Sequence, residues 1–340
     1  MMYKIFKEEI VRCNVKAIPT FILISVGLIF WTVTSNAQVS DYPNKPIFII
    51  DPTGGSNIEQ DTRLYIQHIE RNNPGFNLVF EQRAGAASTI GSAYVARAKP
   101  DGYTLLAPSN AFLIAPAVYS NLSYDVTRDF SAISLLTQKA YLLMVHHALP
   151  FRTVREYISY ARQNPGELNF STAGLGSSTH LPGALLHHMT KTTVTFVHYK
   201  RASDRVTDLV AGRVGATLGA YPTLLPYIKT GKLRALAVTT NKRLSSAPDI
   251  PTIAEAGVPN FEYSAWTGML APQKTPPEII SKIHRLWTDV LKEQALIKRF
   301  DADGTVIVAS SPQEFKKFID ADSARWVKLL KETGIKIEQE

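Results

Sequence analysis

The sequence predicts an α/β protein of two units with a ligand cleft between them, on three observations. Strand-like and helix-like runs alternate from residue 48 onward. A proline-rich stretch at 240–277 breaks the alternation and is followed by amphipathic helical segments. Two loops, Thr53-Gly54-Gly55-Ser56-Asn57 and Ala173-Gly174-Leu175-Gly176-Ser177-Ser178-Thr179, each stand between a strand-like and a helix-like run.

The amino-terminal stretch carries Lys4, Lys7, Arg12 and Lys16 ahead of an apolar run at 18–33, and Ser35-Asn36-Ala37 closes it with small residues. Residues 1–37 are therefore read as a signal peptide cleaved after Ala37. An uncleaved anchor is the alternative, because the run lies near the lower limit of about 17 residues for a membrane span. The one cysteine, Cys13, falls inside this segment, so the mature chain has no thiol for a disulfide, a metal or catalysis. It must rely on a large ordinary core, which 340 residues supply for about two domains. The formal charge is +8. Loss of four basic and two acidic residues with the leader leaves +6, dispersed among acidic side chains, which argues against a nucleic-acid track.

Along the chain, residues 48–52 read as a strand ending at the first glycine loop, and 61–71 as a helix with Leu64, Ile66 and Ile69 at helical spacing. A strand at 78–81, the loop Arg83-Ala84-Gly85-Ala86-Ala87-Ser88, a small-residue helix at 89–98 and a strand at 104–107 follow; Pro108-Ser109-Asn110 forms a third loop. This order predicts a parallel sheet whose ligand edge lies at the loops. A second set has strands at 142–146, 169–172, 194–199, 216–220 and 233–239. Its helices are at 153–163, capped by Thr153 with Glu156 three residues on, 181–189 and 202–211. Residues 263–270 read as a return strand, and 278–292, 313–319 and 322–332 as helices. The layout is a discontinuous lobe 1 (38–140 plus 260–340) around an inserted lobe 2 (141–259), and two crossings between them make a hinge.

Helix starts carry free N–H groups and a partial positive charge, so two facing glycine loops form a cradle for a small anion without an arginine. Taken alone, such loops equally fit tight turns that need glycine for backbone geometry. Ser177 and Ser178 beside His180 suggest a nucleophile, but the G-x-S-x-G turn is absent. An exported hydrolase therefore stands only as an alternative. The pairs His146-His147 and His187-His188 lack metal-ligand spacing and read as helix-surface residues, so no metal is expected. Tyr199 and Lys200, at a strand end, are either cleft residues or a packed tyrosine and a surface lysine. Trp266 reads as packing between the lobes. No complete phosphate or dinucleotide fingerprint occurs, and no cofactor is expected.

Several stretches carry a family likeness: Tyr42-Pro43-Asn44-Lys45-Pro46, Gly54-Gly55-Ser56, Lys99-Pro100-Asp101-Gly102-Tyr103-Thr104, Tyr124-Asp125-Val126-Thr127-Arg128-Asp129-Phe130 and Asn164-Pro165-Gly166-Glu167-Leu168. The strongest is Ile228-Lys229-Thr230-Gly231-Lys232-Leu233-Arg234-Ala235-Leu236-Ala237-Val238-Thr239, followed by Pro251-Thr252-Ile253-Ala254-Glu255-Ala256-Gly257. In these the sequence resembles the TctC or Bug family of tripartite tricarboxylate transporter substrate-binding receptors, over residues 42–335. The resemblance implies a two-lobed fold like the type II periplasmic binding proteins, a monomer in the periplasm with no catalytic activity. Its partners would be a small organic anion, a carboxylate or dicarboxylate, and membrane transporter subunits of the tripartite tricarboxylate type; a sensory role before a membrane kinase uses the same fold. By motif position, Thr53, Gly54, Gly55, Ser56 and Asn57 form one jaw and Gly176, Ser177, Ser178 and Thr179 the other. Asn110 and a Gly219-Ala220 turn line the cleft, and Ala86 and Ala87 add backbone donors. Three departures touch ligand choice: Ile58 near the family's acidic position, Ala87-Ser88 for its second glycine pair, and Gly219 where many members carry Asp or Asn.

Overall fold

Ile47–Asp51 forms strand β1, a run of β-branched and aromatic residues with Ile47, Ile49 and Ile50 fully buried. The computed structural model describes residues 41–53, 57–85, 88–119, 121–174, 177–199 and 201–333. The leader expected at 1–37 lies outside them. Helix α1 (Asn57–Asn72) connects β1 to β2 (Leu78–Gln82), and α2 (Thr89–Ala96) connects β2 to β3 (Thr104–Leu106). Strands β2, β1 and β3 are parallel neighbours, as the alternation predicts.

Beyond β3 the sheet becomes mixed. The order is β11-β4-β10-β3-β1-β2, with β10 (Ala265–Pro272) antiparallel to both β3 and β4 (Phe130–Lys139), and β11 (Thr305–Ile307) antiparallel to β4. The reason is the chain's path. Only Ala140 separates β4 from β5 (Tyr141–His146), which belongs to a second sheet, and β10 is the chain coming back.

The second sheet has the order β7-β6-β8-β5-β9. Strands β6 (Asn169–Thr172), β7 (Thr195–His198) and β8 (Ala216–Ala220) are parallel, and β5 runs antiparallel to β8 and to β9 (Leu233–Val238). Its helices are α4 (Val154–Gln163), α5 (His180–Thr190), α6 (Ala202–Val210) and α7 (Tyr221–Lys229). Thr153 caps α4 as predicted: its Oγ1 accepts from Glu156 N at 3.2 Å, while the Glu156 carboxylate accepts from Arg152 N at 2.6 Å.

Helices α8 (Pro277–Val290), α9 (Gln294–Ala302) and α10 (Pro312–Thr333) complete the fold. The two helices read at 313–319 and 322–332 are one. Helix α3 (Asn110–Val118), together with α7, α9, β4 and β11, is absent from the sequence reading. Helix α3 is apolar almost all round and carries Pro116, and α7 carries Pro226, so neither shows a clean helical stripe. Trp266 is 1% exposed and packs edge-on against Phe315 and Phe318 of α10. It therefore locks the last helix onto the first sheet, rather than filling a space between lobes.

Candidate ligand-binding site

At the first sheet's rim the chain leaves β1 through Asp51, a fully buried carboxylate. Its Oδ1 accepts from Thr53 N at 2.8 Å and from Thr53 Oγ1 at 2.6 Å, the pattern of an Asx turn. Thr53 thus serves the loop's own geometry. Gly54, Gly55, Ser56, Ala86 and Ala87 lie outside the described residues, as does the Asn57 side chain. Ser88 begins α2 with φ 75°, a left-handed position where glycine is ordinarily preferred. At the end of β3, Ser109 caps α3, and Asn110 spends its amide on the return strand. Its Nδ2 donates to Ser264 O at 3.0 Å, and its Oδ1 accepts from Trp266 N at 3.4 Å.

At the second sheet's rim, Gly176 and Lys200 lie outside the described residues, and the hydroxyl residues of the loop divide their labour. Thr179 Oγ1 accepts from Ala173 N at 2.7 Å and lies 3.1 Å from Ser177 Oγ, which in turn accepts from His180 N at 3.2 Å. These contacts brace the entry to α5. The N–H groups of Ser178 and Thr179 donate to no acceptor among the described residues, so the helix start presents two open donors. Gly219 and Ala220 prove to be the last residues of β8 rather than a turn. A Cβ on Gly219 would stand 2.8 Å from Leu224 Cδ1, so a larger residue there requires that leucine side chain to shift.

A continuous chain of contacts joins the two rims. Asn110 holds Ser264; the neighbouring Tyr263 ring meets the Tyr141 ring edge-on at 5.5 Å; and Tyr141 Oη donates to Ser178 Oγ at 3.0 Å. Tyr141 lies directly after Ala140, so the crossing between sheets itself touches the second loop. Burial raises the Tyr141 pKa and keeps its hydroxyl a donor. Asp51, Tyr141, Tyr263 and Arg205, which reaches β8 from the first turn of α6, were not singled out from sequence. Asp51 interrupts an apolar run and Arg205 sits in an amphipathic helix, and those are the signals that mark them.

Among the described residues the Ser177 hydroxyl meets His180 N and Thr179 Oγ1 rather than an imidazole, and the His180 ring packs against Phe196 and His198. Burial, with His198 nearby, holds His180 neutral with a pKa of about 4. His187, expected on a helix surface, is instead buried between Tyr157 Oη at 3.1 Å and Thr192 Oγ1 at 2.7 Å, and burial lowers its pKa to about 3. His146 stands at the end of β5 with His147 just beyond it, not on a helix. Among the described residues no three metal-ligating side chains gather. Tyr199 Oη donates to Asp208 Oδ2 at 2.8 Å, which is the packed alternative.

Loops at the carboxyl ends of parallel strands in two sheets, with helix-start donors on one of them, are the arrangement of a two-lobed α/β solute receptor. The model of the TctC family, described as tripartite tricarboxylate transporter family receptor, matches residues 66–335. Protein BugT of Bordetella pertussis is 31% identical over 324 residues, covering 94% of this chain and 99% of its own. Among solved structures, R. palustris Rpa4515 with adipate shares 33% identity at a TM-score of 0.73, over 87% of this chain and 99% of that one. MatC from Rhodopseudomonas palustris with bound malate shares 26% identity at 0.70, over 85% and 100%. The chain belongs to the TctC family, whose members are periplasmic solute-binding receptors and not enzymes.

Proposed function

We propose that this receptor captures a small organic acid in the periplasm and delivers it to the membrane subunits of a tripartite tricarboxylate-type transporter. The observation that carries the reading is the pair of open N–H donors at Ser178 and Thr179, braced by Tyr141 from the crossing between sheets. A carboxylate suits such donors, because the helix start stabilises negative charge without a mobile side chain. Adipate and malate, the ligands named for two solved relatives, are both dicarboxylates. The lobes are taken as 38–140 plus 260–340 and 141–259, hinged at Ala140 and at the 239–264 return, with residues 53–57 and 176–179 as opposing jaws. The leader at 1–37 directs export, and the mature chain acts as a monomer.

Ligand binding stabilises the closed form only through contacts that both jaws make in that form. Calorimetry and thermal shift against C4 to C6 dicarboxylates are expected to find at least one ligand that raises the melting temperature. Flat titrations from folded protein, shown by native mass spectrometry to be ligand-free, refute the reading. Mass spectrometry of the exported chain is expected to show a mature start at Gln38.

A further inference from the structure

Five large apolar side chains stand exposed among the described residues, and three of them, Phe48, Ile90 and Tyr94, share one groove of about 910 Å3. Helix α2 supplies one side of it. Ile90, Ala93, Tyr94 and Arg97 recur there at i, i+3, i+4 and i+7 and so form a single stripe, while the same helix turns Gly91, Ser92 and Val95 into the core. Strand β1 supplies Phe48. It lies between β3 and β2, a place where an aromatic side chain is ordinarily covered, yet Phe48 is 38% exposed.

The lining is basic as well as apolar. Lys45, Arg83, Arg97 and Lys99 stand there with a single carboxylate, Asp101. Lys45 meets Asp101 at 3.4 Å and Arg83 meets Glu81 at 2.6 Å, whereas Arg97 and Lys99 have no ion-pair partner among the described residues. Two of the cations also steady aromatic rings: Arg83 Cζ lies 3.8 Å from the centre of the Tyr94 ring, and Lys45 Nζ 4.2 Å from that of Tyr103. Contiguous apolar surface rimmed by polar groups marks a place where another molecule sits. All the lining residues fall between 45 and 104, and none belongs to the candidate ligand site.

Charge and shape together choose the occupant. A second copy docking face to face would set these cations against their own images. A bilayer engages apolar groups that protrude into it, whereas this surface is recessed. We propose that the groove docks an acidic segment of the transporter's membrane subunits, whose carboxylates pair with Arg97 and Lys99 and whose apolar side chain seats on Phe48, Ile90 and Tyr94. Helix α2, with eight residues, is about 12 Å long, which matches about four residues of extended chain. This inference rests on the delivery reading above. Because docking and ligand capture use different residues, the two can be separated by mutation.

The test uses the full mature chain as wild type, R97E/K99E and Y94S. Binding is measured by biolayer interferometry to the tripartite tricarboxylate-type membrane subunits of the same host, held in phosphatidylcholine nanodiscs, with protein-free phosphatidylglycerol nanodiscs alongside. Each variant is expected to lose about 10-fold or more in affinity for the membrane subunits. Raising the ionic strength should weaken wild type far more than R97E/K99E. Melting temperature and calorimetric affinity for malate or adipate should stay at the wild-type level in both variants, because the substituted side chains are exposed and lie outside the ligand site. If wild type binds a dicarboxylate but not the membrane subunits, or if both variants dock as wild type does, the groove is not the docking face and the capture reading stands. Equal binding to the protein-free phosphatidylglycerol discs overturns the proposal in favour of a membrane surface. A wild-type dimer in sedimentation that R97E/K99E dissociates overturns it in favour of a second copy. If folded, ligand-free wild type binds no carboxylate, the capture reading fails and this inference falls with it.

Discussion

Acid should weaken this fold through two buried histidines, and His187 is the cleaner one to isolate. Its ring is 5% exposed, sits between Tyr157 and Thr192, and packs against Phe170 and Phe196. Burial lowers its pKa to about 3, against 6.5 for a free imidazole. Because the native value is the lower one, the unfolded chain binds the proton first. Stability is therefore complete above about pH 6.5 and falls as the pH drops below it, levelling only near the native value. At about 1.4 kcal/mol per pH unit, the loss from this one histidine between pH 8 and pH 5 is roughly 2 kcal/mol. His180, held neutral with a pKa of about 4, adds a loss of similar size. Urea unfolding followed by fluorescence of the buried Trp266, Trp287 and Trp326 at constant ionic strength measures the difference. The variant H187Q keeps a polar partner for Tyr157 or Thr192 but cannot titrate. It should lose about 2 kcal/mol less than wild type over the same interval. An unchanged acid dependence in H187Q would refute the claim that this ring is held neutral.

Three further substitutions test particular contacts. Y141F removes the hydroxyl on Ser178 and should cost about 1 kcal/mol in chemical unfolding, with weaker binding of whichever dicarboxylate the wild type takes; unchanged stability and affinity would show that the bridge is idle. K139M strips the cation from Asp61, which it meets at 2.9 Å and whose pKa burial already raises. The variant should lose roughly 3 kcal/mol or more at pH 7 and regain part of it on acidification as Asp61 protonates, a dependence opposite in sign to that of His187. G268A places a Cβ 2.5 Å from Phe315 Cζ and 3.0 Å from Ser134 O, so a cost of about 1–3 kcal/mol is expected in thermal or urea unfolding, and a neutral result would mean that α10 yields easily.

The alternation of strands and helices was legible because β1 and β2 are short, largely apolar runs that lead into glycine-containing loops, a pattern set by local chemistry. The strand directions in the first sheet were not. Nothing in Phe130–Lys139 or Ala265–Pro272 states that one strand leaves the sheet and the other re-enters it, because pairing is decided by residues more than a hundred positions apart. His187 misled for a related reason. Beside His188 on a helix it looks like half of a surface pair, yet α5 turns one ring toward Tyr157 and Phe170 and leaves the other near Glu332.

The site itself carries the sharper lesson. Loop hydroxyls suggest ligand contacts when read as a string, but Thr53, Ser177 and Thr179 are engaged with Asp51, His180 N and Ala173 N. Their work is to hold the backbone open, and the donors left over belong to the peptide groups of Ser178 and Thr179. Peptide N–H groups attract any small anion, so they set the class of ligand more than its identity.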